Sequence, residues 1–323
     1  MNKQDPPFAI QVEPTEGCTL ACSFCALQSI RENGASFELG VHGSGKGPYK
    51  FMTIGTAVRI ASQIAIAEWN SRIEFAMHGE PTVHPQLADI VAAFRLALPK
   101  ASIMITTNGS GIMKEERLLA LFEAGANTVC IDNYKHAGFV ERIKPWLTHG
   151  FGLFNGIGLY RYPAAGAAGN PHARIKGRRV VIIDDITENT KGNHRITNQG
   201  GNSGDADPYM KRCAKPFREL SFRWDGNIAI CCDDWPGEYK IGNIHDMDIV
   251  DLWNHPYFTA ARAALYHGKR DMLGPCSGCN VRTYRNGLLP DHMGKQPLGK
   301  PHGGHKTLIA EAQKGKPFTP RVK

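Results

Sequence analysis

The chain predicts an α/β fold: a partial (β/α) barrel over residues 1–205, a small hairpin-plus-helix domain over 206–290, and a basic, flexible tail over 291–323. Three observations lead there. Apolar, often β-branched runs alternate with segments of helical period from Phe8 onward, the pattern of parallel βαβ units. A loop bearing three cysteines follows the first of those runs directly, at the C-terminal end of a strand, where barrels of this kind carry their functional groups. A second set of cysteines begins only after a polar, glycine-rich stretch, Thr190 to Asp207, which cannot bury itself and reads as a bridging loop.

The elements follow in order. Phe8 to Val12 is the first strand. Ser29 to Thr53, rich in glycine and lysine and without periodicity, reads as an insertion or lid near the cysteine loop. Ile54 to Trp69 places Val58, Ile60, Ile64 and Trp69 at helical spacing. Arg72 to Met77 is a strand, and Leu87 to Leu98 a helix with Ile90, Val91, Phe94 and Leu98 on its core face. Strands are predicted at Ser102 to Thr106, Thr128 to Ile131 and Gly152 to Tyr160, and helices at Glu115 to Ala124 and Phe139 to His149. Pro163 to Gly177 lacks a helical pattern, and Arg179 to Ile186 is placed as the last core strand. Leu220 to Trp224 and Ile228 to Cys232 form a hairpin around Asp225-Gly226-Asn227, and Asp248 to His267 an amphipathic helix.

The first cysteine loop is Cys18-Thr19-Leu20-Ala21-Cys22-Ser23-Phe24-Cys25. Its spacing lets three thiols face a common point, and thiolates select soft metals, so an iron–sulfur cluster or zinc would suit it. The nearest further cysteine is Cys130, far along the chain. Three local ligands instead of four leave one coordination position for a small molecule.

This CxxxCxxC loop, with Phe24 before its last cysteine and a strand before it, resembles the radical S-adenosylmethionine (radical SAM) superfamily. The resemblance implies that Cys18, Cys22 and Cys25 hold a [4Fe-4S] cluster whose fourth iron takes the amino and carboxylate groups of S-adenosylmethionine. An electron from the cluster then cleaves the sulfonium, and a 5'-deoxyadenosyl radical abstracts hydrogen from a substrate carbon, chemistry that belongs to the cofactor. Gly79-Glu80-Pro81, closing the second strand, resembles the family's GGEP motif, which holds the amino group of S-adenosylmethionine. His78 stands where the family often has glycine, as a tolerated variant or a group facing substrate. Taken alone, Gly-Glu-Pro is also an ordinary turn after a strand. Asn108, in Thr106-Thr107-Asn108-Gly109 after the third strand, and Asp132 and Asn133 after the fourth, are candidate site-lining and ribose-binding residues; such residues also favour ordinary turns.

In the second group, Cys213 precedes Gly226 by twelve intervening residues, Cys231 follows Gly226 after four more, and Cys276-Ser277-Gly278-Cys279 forms a CxxC turn. Cys231 and Cys232 are neighbours on a strand and point to opposite faces, so only one ligates the group; the spacing nominates Cys231. The pattern resembles the twitch form of the SPASM auxiliary domain, and implies one further [4Fe-4S] cluster on Cys213, Cys231, Cys276 and Cys279. A zinc ribbon is the bland alternative. An auxiliary cluster implies an electron acceptor in an oxidation, and Asp233 and Asp234, beside the hairpin, are candidates for the base that takes the proton. Arg218, Arg223 and Tyr160 are candidate substrate contacts.

Composition narrows the class. Hydrophobic residues at 42% and charged residues at 21% are those of an ordinary globular protein. No apolar run reaches the length of a membrane span, and Met1 to Pro7 lacks a signal peptide's apolar core, which predicts a cytoplasmic protein. Nine cysteines in this setting point to metal or redox use rather than disulfides. The net charge is +8, but seven lysines and arginines against Asp291 and Glu311 lie beyond residue 286, so the basicity belongs mostly to the tail, which also carries His292, His302 and His305. Only Leu308 to Ala312 there reads as a short helical turn.

The reading is a radical SAM oxidoreductase with one auxiliary cluster, resembling the twitch-domain alcohol dehydrogenases of aminocyclitol biosynthesis and drawing electrons from a flavodoxin or ferredoxin. A peptide or protein side chain is the runner-up substrate; the few residues ahead of the first strand leave no room for a peptide-recognition domain. A nucleic-acid-modifying or nucleic-acid-binding protein, motivated by the basic tail alone, and a structural zinc protein are the readings of other classes.

Overall fold

The computed structural model describes residues 5–22, 24–27, 49–134, 138–154, 157–163, 178–183, 199–201, 207–281 and 300–318. Most of the expected insertion at Ser29 to Thr53, nearly all of Pro163 to Gly177 and of Thr190 to Asp207, and His292 lie outside them.

Nine strands form one sheet in the order β11-β10-β1-β4-β5-β6-β9-β8-β7. They are β1 (Ala9–Val12), β4 (Arg72–Phe75), β5 (Ile103–Thr107), β6 (Thr128–Asp132), β7 (His149–Phe154), β8 (Ile157–Tyr162), β9 (Arg178–Ile183), β10 (Glu219–Phe222) and β11 (Ile228–Ala229), while β2 (Thr15–Glu16) and β3 (Lys50–Phe51) pair separately. From β10 through β1, β4, β5 and β6 to β9 every pairing is parallel. Period two sorts the side chains. Ile10, Val12, Ile73, Phe75, Ile105, Val129 and Ile131 join Ile60, Ile64, Ile90, Val91 and Phe94 of the helices in one buried core. The alternate positions, Gln11, Glu74, Thr106 and Cys130, give the other face a polar character, with Gln11 Nε2 donating to Glu74 Oε2.

The helices Ile54–Ile66, Leu87–Ala97 and Glu115–Glu123 cover the core face. Thr53 caps the first, its Oγ1 accepting from Thr56 N at 3.1 Å. Four expectations change. The predicted helix from Phe139 to His149 stops at Ile143, because Pro145 supports only a 3-10 turn over Lys144–Trp146. The strand expected at Gly152 to Tyr160 is a hairpin, β7 and β8, which carries the sheet beyond β9 in antiparallel sense. The helix expected from Asp248 to His267 is two helices, Ile249–Trp253 and Pro256–Tyr266, because Pro256 forces His255 into an extended conformation and starts a new helix. The proposed boundary near residue 205 is no break in the sheet: β10 lies in register beside β1, with Ile10 opposite Leu220.

The tail is also corrected. Gly303–Gln313 is an 11-residue helix, and Ile309 and Ala312 are buried in the main core. Its basic residues hid an apolar stripe of only three positions, Leu308, Ile309 and Ala312. Ile309→Ala should destabilise the protein by about 2–4 kcal/mol in chemical denaturation; an unchanged midpoint would show that this helix is undocked in solution.

Candidate functional site

The C-terminal ends of β1, β4, β5 and β6 meet in one cleft. Its lining includes Cys18, Cys22, Phe24 and Cys25 from the loop after β1, Met77 to Glu80 after β4, Thr107 and Asn108 at β5, and Asp132 and Tyr134 at β6. Eight of the expected residues, Cys18, Cys22, Phe24, Cys25, Gly79, Glu80, Asn108 and Asp132, are thus brought together. Pro81 is buried behind the cleft, opening the turn Pro81–Val83, and Asn133 gives its N–H to Ile183 O at 2.9 Å.

Glu80 joins three chain segments. Its N–H donates to Gly17 O at 2.9 Å, its Oε1 accepts from Thr82 N at 3.0 Å and from the hydroxyls of Thr82 and Thr107 at 2.5 Å each, and its Oε2 accepts from Asn108 N at 2.7 Å. Burial still pushes its carboxyl above the ordinary value, these bonds notwithstanding. Gly79 lets the two loops touch: a Cβ there would lie 1.9 Å from Thr15 O and 2.8 Å from Gly17 O. Met77, just before, has a φ of +88°, backbone strain of the kind that concentrates at functional sites.

The sulfurs of the loop are set by their neighbours. Cys18 Sγ accepts from Leu20 N and from Asn108 Nδ2, each at 3.4 Å, and Asn108 Nδ2 also reaches Thr19 Oγ1 at 3.2 Å. Burial pushes the Cys18 thiol up to about 11, so this sulfur ionises when a metal cation takes the place of its proton. Three soft donors with N–H groups directed at one of them fit an iron–sulfur cluster. Across the cleft the Tyr134 ring lies 5.3 Å from Phe24, and its hydroxyl donates to Asp132 Oδ2 at 3.3 Å. Burial raises the Asp132 carboxyl to about 6.

His78 faces the second cysteine group. Its ring lies 4.6 Å from Trp235, Nδ1 meets Glu13 Oε1 and Nε2 donates to the Cys232 carbonyl, both at 2.9 Å. Burial would push the Glu13 carboxyl up, but the Arg223 guanidinium and then His78 bring it below its ordinary value. Arg223 in turn donates to Glu16 Oε2 at 2.7 Å and to Trp235 O at 3.0 Å. Arg223, a candidate substrate contact, is therefore part of the frame, and Arg218 stacks over Phe8, 4.7 Å from its ring centre.

Cys213, Cys276 and Cys279 are buried, and Cys231 half-buried. Burial pushes all four thiols up, Cys279 to about 11, and Cys213 and Cys279 lie near enough to Cys276 to raise it further, as Cys276 does for Cys231. Among the described residues no three His, Cys, Asp or Glu side chains close on one point as a single metal ion requires. Cys232 is turned to another partner, accepting from Lys215 Nζ at 2.8 Å. Asp233 and Asp234 are not in the cleft: Asp233 pairs with Lys215 at 3.1 Å, and Asp234 accepts from Glu238 N and Tyr239 N. Their place in the sequence beside Cys232 predicted proximity; neither carboxylate lines the first cleft, and Asp233 stays beside the second cysteine group, its N–H donating to Cys231 Sγ at 3.4 Å.

Sequence reasoning missed Met77, Tyr134 and Trp235. Tyr134 carried a signal, as an aromatic two residues after Asp132; Trp235 carried none, being distant in sequence.

A model of the radical SAM superfamily matches residues 12–132, and a model described as the SPASM iron-sulfur cluster-binding domain matches 213–280. The chain is a radical SAM enzyme with a SPASM-type domain behind its core, and its cofactors are S-adenosylmethionine and two iron–sulfur clusters. It is 25% identical over 276 residues, 84% of its length and 92% of the relative's, to the S-adenosyl-L-methionine-dependent 2-deoxy-scyllo-inosamine dehydrogenase of Niallia circulans. In fold it is similar to the crystal structure of BtrN in complex with AdoMet and 2-DOIA (TM-score 0.63, 22% identity, 87% of this chain and 95% of that one) and to BtrN in an open conformation (0.57, 20%, 86% and 94%).

Two outcomes follow. Gly79→Ala should separate the Thr15–Gly17 and Met77–Glu80 segments and empty the first site alone, leaving about four irons per chain instead of about eight by iron analysis. The Asp132 carboxyl, ordinarily at 3.8, is raised to about 6 in the fold, so the native protein binds that proton more tightly and loses stability as pH rises between those values. Asp132→Asn should accordingly be the more stable protein at pH 7.5, by up to about 3 kcal/mol in chemical denaturation, with the gap closing towards pH 4.

Proposed function

We propose that this chain is a radical SAM dehydrogenase that oxidises a hydroxyl-bearing carbon of a small molecule of the aminocyclitol or sugar class. The observation that carries this is the joining of the two cysteine sites: His78 lines the first cleft and is hydrogen-bonded to the backbone of Cys232, beside Cys231 of the second. The relative's name supports the substrate class.

In this reading Cys18, Cys22 and Cys25 hold the first cluster, and Cys213, Cys231, Cys276 and Cys279 the second. When bound, the first cluster and S-adenosylmethionine supply a radical that takes hydrogen from a substrate carbon, and the second cluster receives the remaining electron. Every other contribution comes from the chain. Glu80 fixes the loop ends so that the backbone of Met77 to Gly79 faces the amino group of S-adenosylmethionine, Phe24 and Tyr134 offer aromatic faces to the adenine, and Asp132 accepts from ribose hydroxyls. Trp235 lines the cleft beside His78. Asp233, paired with Lys215 beside the second cysteine group, is the candidate base for the substrate's proton, while Asp234 holds the Glu238–Tyr239 turn. A flavodoxin- or ferredoxin-type reductant supplies the initiating electron in the cytoplasm; none of the nine cysteines is in a disulfide, and no helix among the described residues is long and apolar enough to cross a membrane.

The test is anaerobic reconstitution of the wild type and two variants. The wild type should hold about eight irons, Cys22→Ala should lose 5'-deoxyadenosine formation under strong reductant, and Cys232→Ala should keep about eight irons. Persistent cleavage in Cys22→Ala, or loss of about four irons in Cys232→Ala, overturns the ligand assignment.

A further inference from the structure

Arg270 is 1% exposed, and all of its hydrogen bonds end on backbone carbonyls. Nε donates to Lys211 O at 2.8 Å, Nη1 to Cys279 O at 3.2 Å, and Nη2 to Arg212 O at 3.3 Å and Val281 O at 2.8 Å. Among the described residues no carboxylate lies within ion-pair distance of it, whereas the other buried cation beside this site, Lys215, is matched by Asp233 at 3.1 Å and Glu219 at 3.8 Å. Buried Arg95 and Arg262 also donate to carbonyls, but the carbonyls Arg270 binds bracket the cysteines: Arg212 immediately precedes Cys213, and Cys279 is the last of the four. Carbonyl oxygens accept from all three guanidiniums but cancel none of their charge, and of the three it is Arg270 whose carbonyl partners flank cysteines. Four thiolates around a four-iron cluster carry net negative charge.

We propose that Arg270 is the fixed counter-charge of the second cluster and raises its reduction potential, favouring its role as electron acceptor. The inference rests on the reading that Cys213, Cys231, Cys276 and Cys279 hold a cluster. The Arg270 charge bears on three of those sulfurs, Cys213, Cys276 and Cys279, and net charge is among the factors that set such potentials.

The test starts from the full chain carrying Cys18→Ala, Cys22→Ala and Cys25→Ala, which keeps only the second cluster. Absence of iron in that parent overturns the cluster reading itself. With about four irons present, an EPR-monitored redox titration compares Arg270→Gln and Arg270→Lys. Arg270→Gln should retain its irons and, at a fixed reductant potential, show a ratio of reduced to oxidised cluster at least tenfold lower, a shift of about 59 mV for one electron. Arg270→Lys should stay near the parent. An unchanged midpoint in iron-replete Arg270→Gln overturns the proposal. If Arg270→Gln loses its irons, Arg270→Lys decides: a parental midpoint supports the charge, and lost irons or a shifted midpoint reduce Arg270 to a clip between the two ends of the site.

Discussion

The cleft depends on one buried carboxylate. Glu80 sits at the end of β4, yet its oxygens are shared between Thr82 on its own turn and Thr107 and Asn108 at the end of β5, while its N–H is bound to Gly17 ahead of the cysteines. A carboxylate removed from water has to collect donors, and these come from the ends of two neighbouring strands, which Asn108 also ties to the cysteine loop through Cys18 and Thr19. Once they are collected, the cysteine loop, the Met77–Gly79 backbone and Asn108 have fixed relative positions. The same bonds occupy Oε1 three times over, so Glu80 serves the site more by fixing backbone than by presenting a charge to it.

A second set of buried charges ties the two halves of the chain. Glu13, at the end of β1, meets His78 on one oxygen, and Arg223, following β10, lies 3.7 Å from the other. Because β10 lies beside β1 in the sheet, residues two hundred positions apart become strand neighbours. Backbone pairing brings the hairpin close; Glu13, Glu16, Arg223 and His78 then fix its turn, and with it Trp235, over the first cleft. His78, where the family motif often has glycine, supplies a contact that glycine lacks.

How much of this was legible in the sequence follows from range. The cysteine loop, Gly79-Glu80-Pro81 and Asn108 were readable because each is a local pattern at the end of a strand whose period was also readable. Cys231 was separated from Cys232 by its spacing from Gly226; β11 ends at Ala229, so both lie beyond the strand, and it is Cys232 that accepts from Lys215 Nζ. The hairpin of β7 and β8 was read as one strand although Asn155-Gly156, a dipeptide that favours a two-residue hairpin turn, stands between Phe154 and Ile157; the signal was there, and the apolar run on either side outweighed it. Adjacency in sequence did not say where the Asp233 and Asp234 carboxylates turn: here Asp233 meets Lys215 and Asp234 the Glu238–Tyr239 backbone. Trp235 left no local mark, and of the C-terminal helix only Leu308 to Ala312 showed, because its docking depends on contacts far along the chain.

Placing the second cysteine group on the main sheet has an electrostatic consequence. A freely linked domain would keep its charges in water, where they are screened; a domain continuous with the core buries them, and every ion then needs a partner at close range. Several of the described residues meet that demand with ion pairs, Glu13 against His78 and Arg223, Glu16 against Lys50 and Arg223, and Lys215 against Asp233 and Glu219, whereas buried Arg95, Arg262 and Arg270 rely on neutral acceptors. The matched groups set the geometry between the two sites, and Arg270, held by carbonyls rather than by a carboxylate, is a buried charge beside the second cysteine group that they leave uncancelled.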